Sequence, residues 1–332
     1  MIIAVSRIKD AADVIEAFIR GNSIVVDKFI IIDNNSCDKT LEILYSLQKE
    51  GFNIDIINNF SFFTRQKNQM QTLINYARDQ YNPDIVLPLD DDEIIASDKI
   101  DNVKEYLLSL PQSKIYKVRW RNYTMLGQED DNIASPLLRI PYCFIHNEYE
   151  FPKVILTREV LSMKGFMITQ GNHGLNWAGA GESPSLDVEF LNDLYLAHYP
   201  IRSVAQAKSK FLVGWITDYL STPLKQELGK NSYWLKLYEK IKNNEFYGSD
   251  IVQYMGLYRQ KIGSGFDEID LIMNKRINLP PQCFENKYGY IVDPFYNFIC
   301  NTEELAKAYA NVLEQQGVEK FNFDFSKERN VL

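Results

Sequence analysis

The chain opens with apolar runs separated by stretches of helical spacing. Residues 1–6 (MIIAVS) form a short apolar run and predict a buried strand. Residues 10–20 carry Ala11, Val14, Ile15 and Phe18 at the spacing of one helix face. Residues 28–33 (KFIIID) predict a second strand. Its four consecutive apolar positions suit a parallel sheet covered on both faces. Helical spacing resumes over 41–47. Strand, helix and strand then follow at 53–58, 69–78 and 84–89 (DIVLPL). This is β-α-β-α-β-α-β in the first 90 residues, the alternation of an open parallel α/β sheet.

Further on, residues 94–108 predict a helix and 113–121 (SKIYKVRWR) an alternating strand. Residues 123–200 mix short strands with glycine-rich loops. From Ser203 the character changes, and 203–220, 232–247 and 302–315 have helical spacing. The pattern predicts a catalytic sheet domain over 1–202 and a mainly helical region over 203–332.

Open α/β sheets bind ligands beyond the carboxyl ends of their strands. Two polar clusters lie at such ends. One is the stretch from Asp33 to Asp38, and the other is Asp90-Asp91-Asp92-Glu93. Adjacent carboxylates repel one another, so burying them without a cation is costly. Oxygen ligation favours Mg²⁺ or Mn²⁺, which commonly bridge carboxylates to substrate phosphates. A solvated acidic turn capping the next helix is the plainer alternative. For Asp33 to Asp38 the plain alternative is helix capping by Ser36 or Asp38.

Composition narrows the field. With 332 residues, 45% of them apolar, the chain can bury a large core. The formal net charge of -8 argues against a nucleic-acid-binding surface. Cys37, Cys143, Cys283 and Cys300 show no zinc-knuckle or CxxC spacing. No run reaches the roughly 20 apolar residues of a membrane span, and the N-terminus lacks the pattern of a secretory signal. The expectation is a cytoplasmic protein with reduced thiols. Peripheral contact at the inner membrane face and homo-oligomerisation are left open.

Four segments, taken in order, resemble family 2 glycosyltransferases of the bacterial subgroup that builds surface polysaccharides. SRIKDAADVIEAFI resembles the family's opening strand, loop and helix, although Lys9-Asp10-Ala11 departs from the usual Lys-Asn-Glu. IIIDNNSCDKT and VLPLDDDEI resemble the nucleotide-binding turn and the strand ending in Asp-x-Asp. GNHG and HYPIRS resemble the end of the catalytic domain. The resemblance implies a GT-A-like α/β fold with an open, mixed, mostly parallel sheet, helices on both faces and a helical C-terminal region. It implies a nucleotide-sugar donor, a glycan or lipid-linked acceptor, and Mn²⁺ or Mg²⁺. Asp90, Asp92 and His198 would hold the metal. Ser6, Lys9, Asp33, Arg65, Lys67, Asp91, Arg202 and Lys210 would face the donor nucleotide and its diphosphate.

His173 would sit on the sugar side. The general base is open among Glu148, Glu150, Glu182 and Asp187, of which Glu182 and Glu148 lead. A buried, hydrogen-bonded imidazole is the ordinary alternative for either histidine, and a solvated surface for the lysines. Competing readings are a nucleotidyltransferase, a haloacid-dehalogenase-type phosphatase and a carbohydrate-binding module. The first expects a Gly-rich phosphate loop after the first strand, and SRIKDAAD contains no glycine. The second expects its Asp-x-Asp after the first strand rather than the fourth.

Overall fold

In a computed structural model, residues 1–58, 66–126, 129–130, 133–144, 152–177, 187–219, 233–257 and 272–315 are described. The predicted alternation appears as β1 (Ile2–Ile8), α1 (Ile15–Asn22), β2 (Lys28–Asp33), α2 (Thr40–Lys49), β3 (Ile54–Asn58), α3 (Gln66–Tyr81) and β4 (Ile85–Pro88). Then come β5 (Glu93–Ala96), α4 (Val103–Leu108), β6 (Ile115–Asn122), α5 (Pro136–Arg139), β7 (Tyr142–Phe144), β8 (Lys153–Thr157) and α6 (Arg158–Ser162). The strands β9 (Phe166–Ile168), β10 (Leu175–Trp177) and β11 (Val188–His198) follow.

Eight strands form one sheet in the order β3-β2-β1-β4-β8-β6-β11-β5. The pairs from β3 through β4 are parallel, as is β6 with β11. β8 runs antiparallel to both its neighbours, and β5 runs antiparallel to β11. The sheet is therefore mixed and mostly parallel, with helices on both faces. Side-chain alternation shows why the centres of β1 and β2 carry consecutive apolar residues. Ile2, Ala4 and Ile31 pack with Phe18, Ile43 and Leu44 of α1 and α2. Ile3, Val5, Ile30 and Ile32 pack on the opposite face with Met70, Leu73 and Val160 of α3 and α6.

Two boundaries differ from the sequence reading. The helix expected over 94–108 is a strand followed by a short helix. The paired β-branched residues Ile94 and Ile95 add β5 to the sheet edge. Asn102 then caps α4, its side chain accepting from the Glu105 amide at 3.1 Å. The first helix begins at Ile15 rather than residue 10. Asp10 has a left-handed backbone (φ 50°) that helical spacing does not reveal.

After the sheet come α7 (Val204–Gly214), which passes into a π-helical turn over Trp215–Tyr219, then α8 (Tyr233–Lys242) and α9 (Gly248–Leu257). Strand β12 (Ile272–Asn274) and helix α10 (Pro294–Gln315) complete the described chain. This region shares a core with the sheet. Phe211, Leu237, Tyr254 and Met255 pack with Ile94, Tyr123, Ala197 and Tyr199. β12 also pairs antiparallel with β7. Among the described residues, no helix is long and apolar enough to cross a membrane.

Phe211 is fully buried at the centre of that shared core. Phe211→Ala should cost about 3–5 kcal/mol, the scale of emptying an aromatic site. Urea denaturation followed by tryptophan fluorescence and by far-UV circular dichroism should show one coincident, earlier transition. Separate transitions would mean that the C-terminal helices unfold on their own.

Candidate active site

The carboxyl ends of β1, β2 and β4 converge with the end of β11. A cleft of about 300 Å³ there is lined by Arg7, Lys9, Gln66, Asp90, Asp91, Asp92, Trp120, His198 and Lys210. The cleft thus gathers Lys9, Asp90, Asp91, Asp92, His198 and Lys210 from the sequence reading. Arg7, Gln66 and Trp120 were not anticipated. In SKIYKVRWR, Trp120 looks like any aromatic residue of an alternating strand.

β5 and β11 carry the acidic run and His198 into register. The Tyr199 amide donates to the Asp92 carbonyl at 2.9 Å, and His198 pairs with Glu93 across the strands. His198 Nε2 lies 3.6 Å from Asp92 Oδ1. Its ring stacks on Trp120, with centroids 4.4 Å apart, and Nδ1 lies 2.7 Å from Asn122 Oδ1. Burial lowers the His198 pKa to about 4, more than Asp92 raises it, so the ring is neutral at pH 7. The Asn122 contact selects the tautomer with the proton on Nδ1. Nε2 is then a lone pair facing a carboxylate oxygen. Two acceptors 3.6 Å apart at the wall of a cleft fit a bound cation between them.

Asp90 is placed differently. Lys153, 1% exposed at the start of β8, pairs with Asp90 Oδ2 and lies 3.1 Å from Glu93 Oε1. Trp120 Nε1 donates to the same Glu93 oxygen at 2.6 Å. Gln66 and Asn172 approach Asp90 Oδ1 at 3.4 and 3.5 Å. Among the described residues, no group of three or more His, Cys, Asp or Glu side chains is already arranged to hold a metal. Burial opposes charge on Lys153, but Asp90 and Glu93 outweigh it and hold the ammonium charged. Burial pushes Glu93 up to about 8. It also pushes half-buried Asp91 up to about 8, with Asp92 adding to the shift. Asp92 is lowered despite burial, by His198, Lys210 and Arg202. Lys153 was missed because one lysine beginning an apolar strand looks like a strand-end charge.

Other expected residues have structural duties. Arg202 grips Asp13 with two bonds, at 2.8 and 2.9 Å, donates to the Tyr199 carbonyl, and reaches Asp92 Oδ2 at 3.8 Å. At 4% exposure it braces the acidic run from behind rather than lining the cleft. Ser6 is 1% exposed within β1, so its hydroxyl is not presented to a ligand. Asp33, at the tip of β2, is 2% exposed and accepts from the Ser36 amide and hydroxyl at 3.0 and 2.5 Å. Burial raises its pKa. Asp38 accepts from the Ala12 and Thr40 amides at 3.0 and 2.9 Å, so it ties two loops together.

Lys9 Nζ donates to the Asn35 carbonyl at 2.8 Å, and Lys210 Nζ to the Pro200 carbonyl at 2.9 Å. Lys67 is half-buried in the first turn of α3 and does not line the cleft. His173 contacts the Trp120 ring edge-on at 5.7 Å and the Pro152 carbonyl at 3.3 Å. Gly171 (φ 72°) makes room for it, since a Cβ there would lie 2.5 Å from His173 Nε2. Asp187 is exposed, outside the cleft lining. Arg65, Glu148, Glu150 and Glu182 lie outside the described residues.

Two measurements follow from these charges. Lys153→Met leaves Glu93 and Asp90 without their buried cation and should destabilise the fold by about 3–5 kcal/mol. Adding Glu93→Gln should recover part of that loss in urea denaturation, and no recovery would refute the pairing. For His198, the folded pKa lies below the ordinary 6.5, so its contribution is present above pH 6.5 and lost as pH falls through about 4. That contribution is about 3 kcal/mol. Stability measured from pH 7 to pH 4 should fall less steeply in His198→Gln.

Residues 2–154 match the family model described as glycosyl transferase family 2. No curated protein matches the chain in sequence. Among solved structures, residues 1–349 of S. aureus TarS are 12% identical, with 77% of this chain and 82% of that chain covered and a TM-score of 0.38. The mannosyltransferase PcManGT from Pyrobaculum calidifontis, in complex with GDP-Man and Mn²⁺, is also 12% identical. There the coverage is 95% and 79%, and the TM-score 0.35. Glucosyl-3-phosphoglycerate synthase from Mycobacterium tuberculosis, with Mn²⁺ and UDP-glucose, is 16% identical over 70% and 80%, with a TM-score of 0.31. Likeness at this level does not by itself establish an activity. The family match covers β1 through the start of β8 and includes the acidic run, so residues 2–154 are similar to a family 2 glycosyl transferase domain.

Proposed function

We propose that the protein transfers a sugar from a nucleoside-diphosphate donor to a glycan or lipid-linked acceptor in cell-surface polysaccharide synthesis, with inversion at the anomeric carbon. The observation that carries the reading is the facing pair Asp92 Oδ1 and His198 Nε2 at the mouth of the acidic cleft. These two side chains would hold Mn²⁺ or Mg²⁺, and the bound ion would supply charge stabilisation for the departing diphosphate. Asp90, anchored by Lys153 and approached by Gln66 and Asn172, offers its carboxylate to the donor from a fixed position. Lys9 and Lys210 supply positive charge on the cleft wall for phosphate oxygens. The Trp120 face suits a sugar ring or base, and His173 stands at its edge.

Asp33 holds the turn through Ser36 at the strand tip next to β1. The nucleoside would lie over that turn and the Lys9 loop. Residues 1–202 then act as the donor-binding catalytic region. Within 203–332, the helices after Ser203 would meet the acceptor at the inner face of the membrane. In this reading a carboxylate takes the acceptor proton, and Glu182 and Glu148 are the candidates by sequence.

Asp92→Asn keeps the shape of the side chain while removing its charge. Transfer should fall about 100-fold or more, the scale of losing a group aimed at developing charge. A thermal-shift screen of UDP-, GDP-, CMP- and dTDP-sugars with and without Mn²⁺ identifies the donor for that assay. Full activity in excess EDTA, or in Asp92→Asn, would sink the reading.

A further inference from the structure

Two residues at the nucleotide edge have left-handed backbones, Asp10 at φ 50° and Asn35 at φ 60°. Asp and Asn are the non-glycine residues that enter this region most readily, and at these two positions neighbouring contacts fix the choice. Both are held by the last helix. Asn301 of α10 donates its amide to Asp10 Oδ2 at 2.8 Å, and Asn35 donates to Glu304 Oε2 at 3.2 Å. Asp10 in turn receives the Cys37 amide on Oδ1 at 2.7 Å. The Asp10 amide donates to Ser36 Oγ at 2.9 Å, and Lys9 Nζ donates to the Asn35 carbonyl. The thiols of Cys37 and Cys300 are also neighbours. One face of α10 therefore touches both loops that flank the cleft.

Asn301 is itself fully buried, with its amide also on the Asn297 carbonyl at 2.8 Å. Asn297 is anchored to Ser209 Oγ of α7 at 3.0 Å. The chain of contacts runs from α7 through Asn297 and Asn301 to Asp10, and from there to the loop after β2. With its amide nitrogen engaged by both Asp10 and Asn297, the buried Asn301 has little freedom to adapt, so the helix sets the loop geometry.

We propose that α10 is a positioning element of the donor site, in which Asn301 and Glu304 hold the loops at Lys9-Asp10 and Asn34-Asn35 in the shape that receives the nucleoside. The proposal rests on the reading that a nucleotide binds over these loops. It gives α10 a role in donor recognition, separate from the acceptor contact assigned to the helices that precede it in 203–332. Lys9, whose side chain lines the cleft, is the link between the helix-held loop and the diphosphate end of the site.

The test uses the full chain with UDP and GDP as probes, each with Mn²⁺, in calorimetry, alongside amide hydrogen exchange. Asn301→Ala should speed exchange at the Asp10 and Cys37 amides and weaken the nucleotide that binds wild type by about tenfold. Asn301→Asp places a carboxylate against Asp10 and should weaken it further. The exchange pair Asp10→Asn with Asn301→Asp restores a donor facing an acceptor at that contact, while the Asn297 carbonyl loses its donor, so it should recover part of the affinity lost in Asn301→Asp. Glu304→Ala, at the partly exposed end of the contact, should weaken binding about threefold without unfolding the helix. Unchanged exchange at both amides in Asn301→Ala overturns the proposal, as does faster exchange with unchanged affinity. An Asp10→Asn, Asn301→Asp pair that binds no more tightly than Asn301→Asp alone does the same. Wild-type protein that binds neither UDP nor GDP, and none of the CMP- and dTDP-sugars of the donor screen, overturns the underlying donor-site reading instead.

Discussion

Placing Asp90, Asp91, Asp92 and Glu93 at the end of one buried strand concentrates negative charge where water is scarce. Such a group is tolerated only if cations or protons compensate it, and the surrounding structure is arranged accordingly. Lys153 lies behind Asp90 and Glu93, and Arg202 lies behind Asp92. Lys9 and Lys210 face the open side. Burial raises the pKa of Asp91 and Glu93 while the neighbouring cations lower that of Asp92. The same peptide segment thus contains carboxylates whose pKa values are pushed in opposite directions, set by neighbours rather than by residue type.

This compensation ties distant parts of the chain to one place. Lys153 begins the antiparallel strand that joins the two parallel portions of the sheet. Arg202 spans from the end of β11 to Asp13, beside the first helix. Trp120 links the groups behind the cleft with those facing it. Its indole nitrogen bonds Glu93 and its ring stacks on His198. A change at any of these positions alters the orientation of a cleft residue as well as its charge. The family 2 domain match ends at residue 154. The His198 and Arg202 contributions come from beyond it, so the site is completed by the chain that follows.

The C-terminal region shares a core with the sheet and also touches the strand-end loops. Phe211 and Tyr254 pack with residues of β5 and β11. Glu16 of α1 accepts the amides of Lys287 and Tyr288 at 2.9 and 2.8 Å, and Glu50, just after α2, accepts the Tyr288 hydroxyl at 2.6 Å. These polar ties order a stretch with little regular structure before α10. They explain how a helix so late in the sequence comes to lie against the turn after β2.

Read alone, the sequence determined the alternation of strands and helices through β4, because apolar runs bounded by polar turns alternate there with segments of clear helical period. It also determined that the acidic run lies at a strand tip, and the family resemblance pointed to His198. It did not show that Ile94 and Ile95 form an edge strand, since a short apolar run carries no period of its own and only pairing with β11 decides it. Nor did it separate cleft residues from supporting ones. Arg202 and Lys9 are both cations near the expected site, yet one is locked onto Asp13 and the other lines the cleft. Lys153, Trp120 and Asn122 gained their roles only through the tertiary structure. Their contacts are with residues 27 or more positions away in sequence, and local pattern carries no information about such partners.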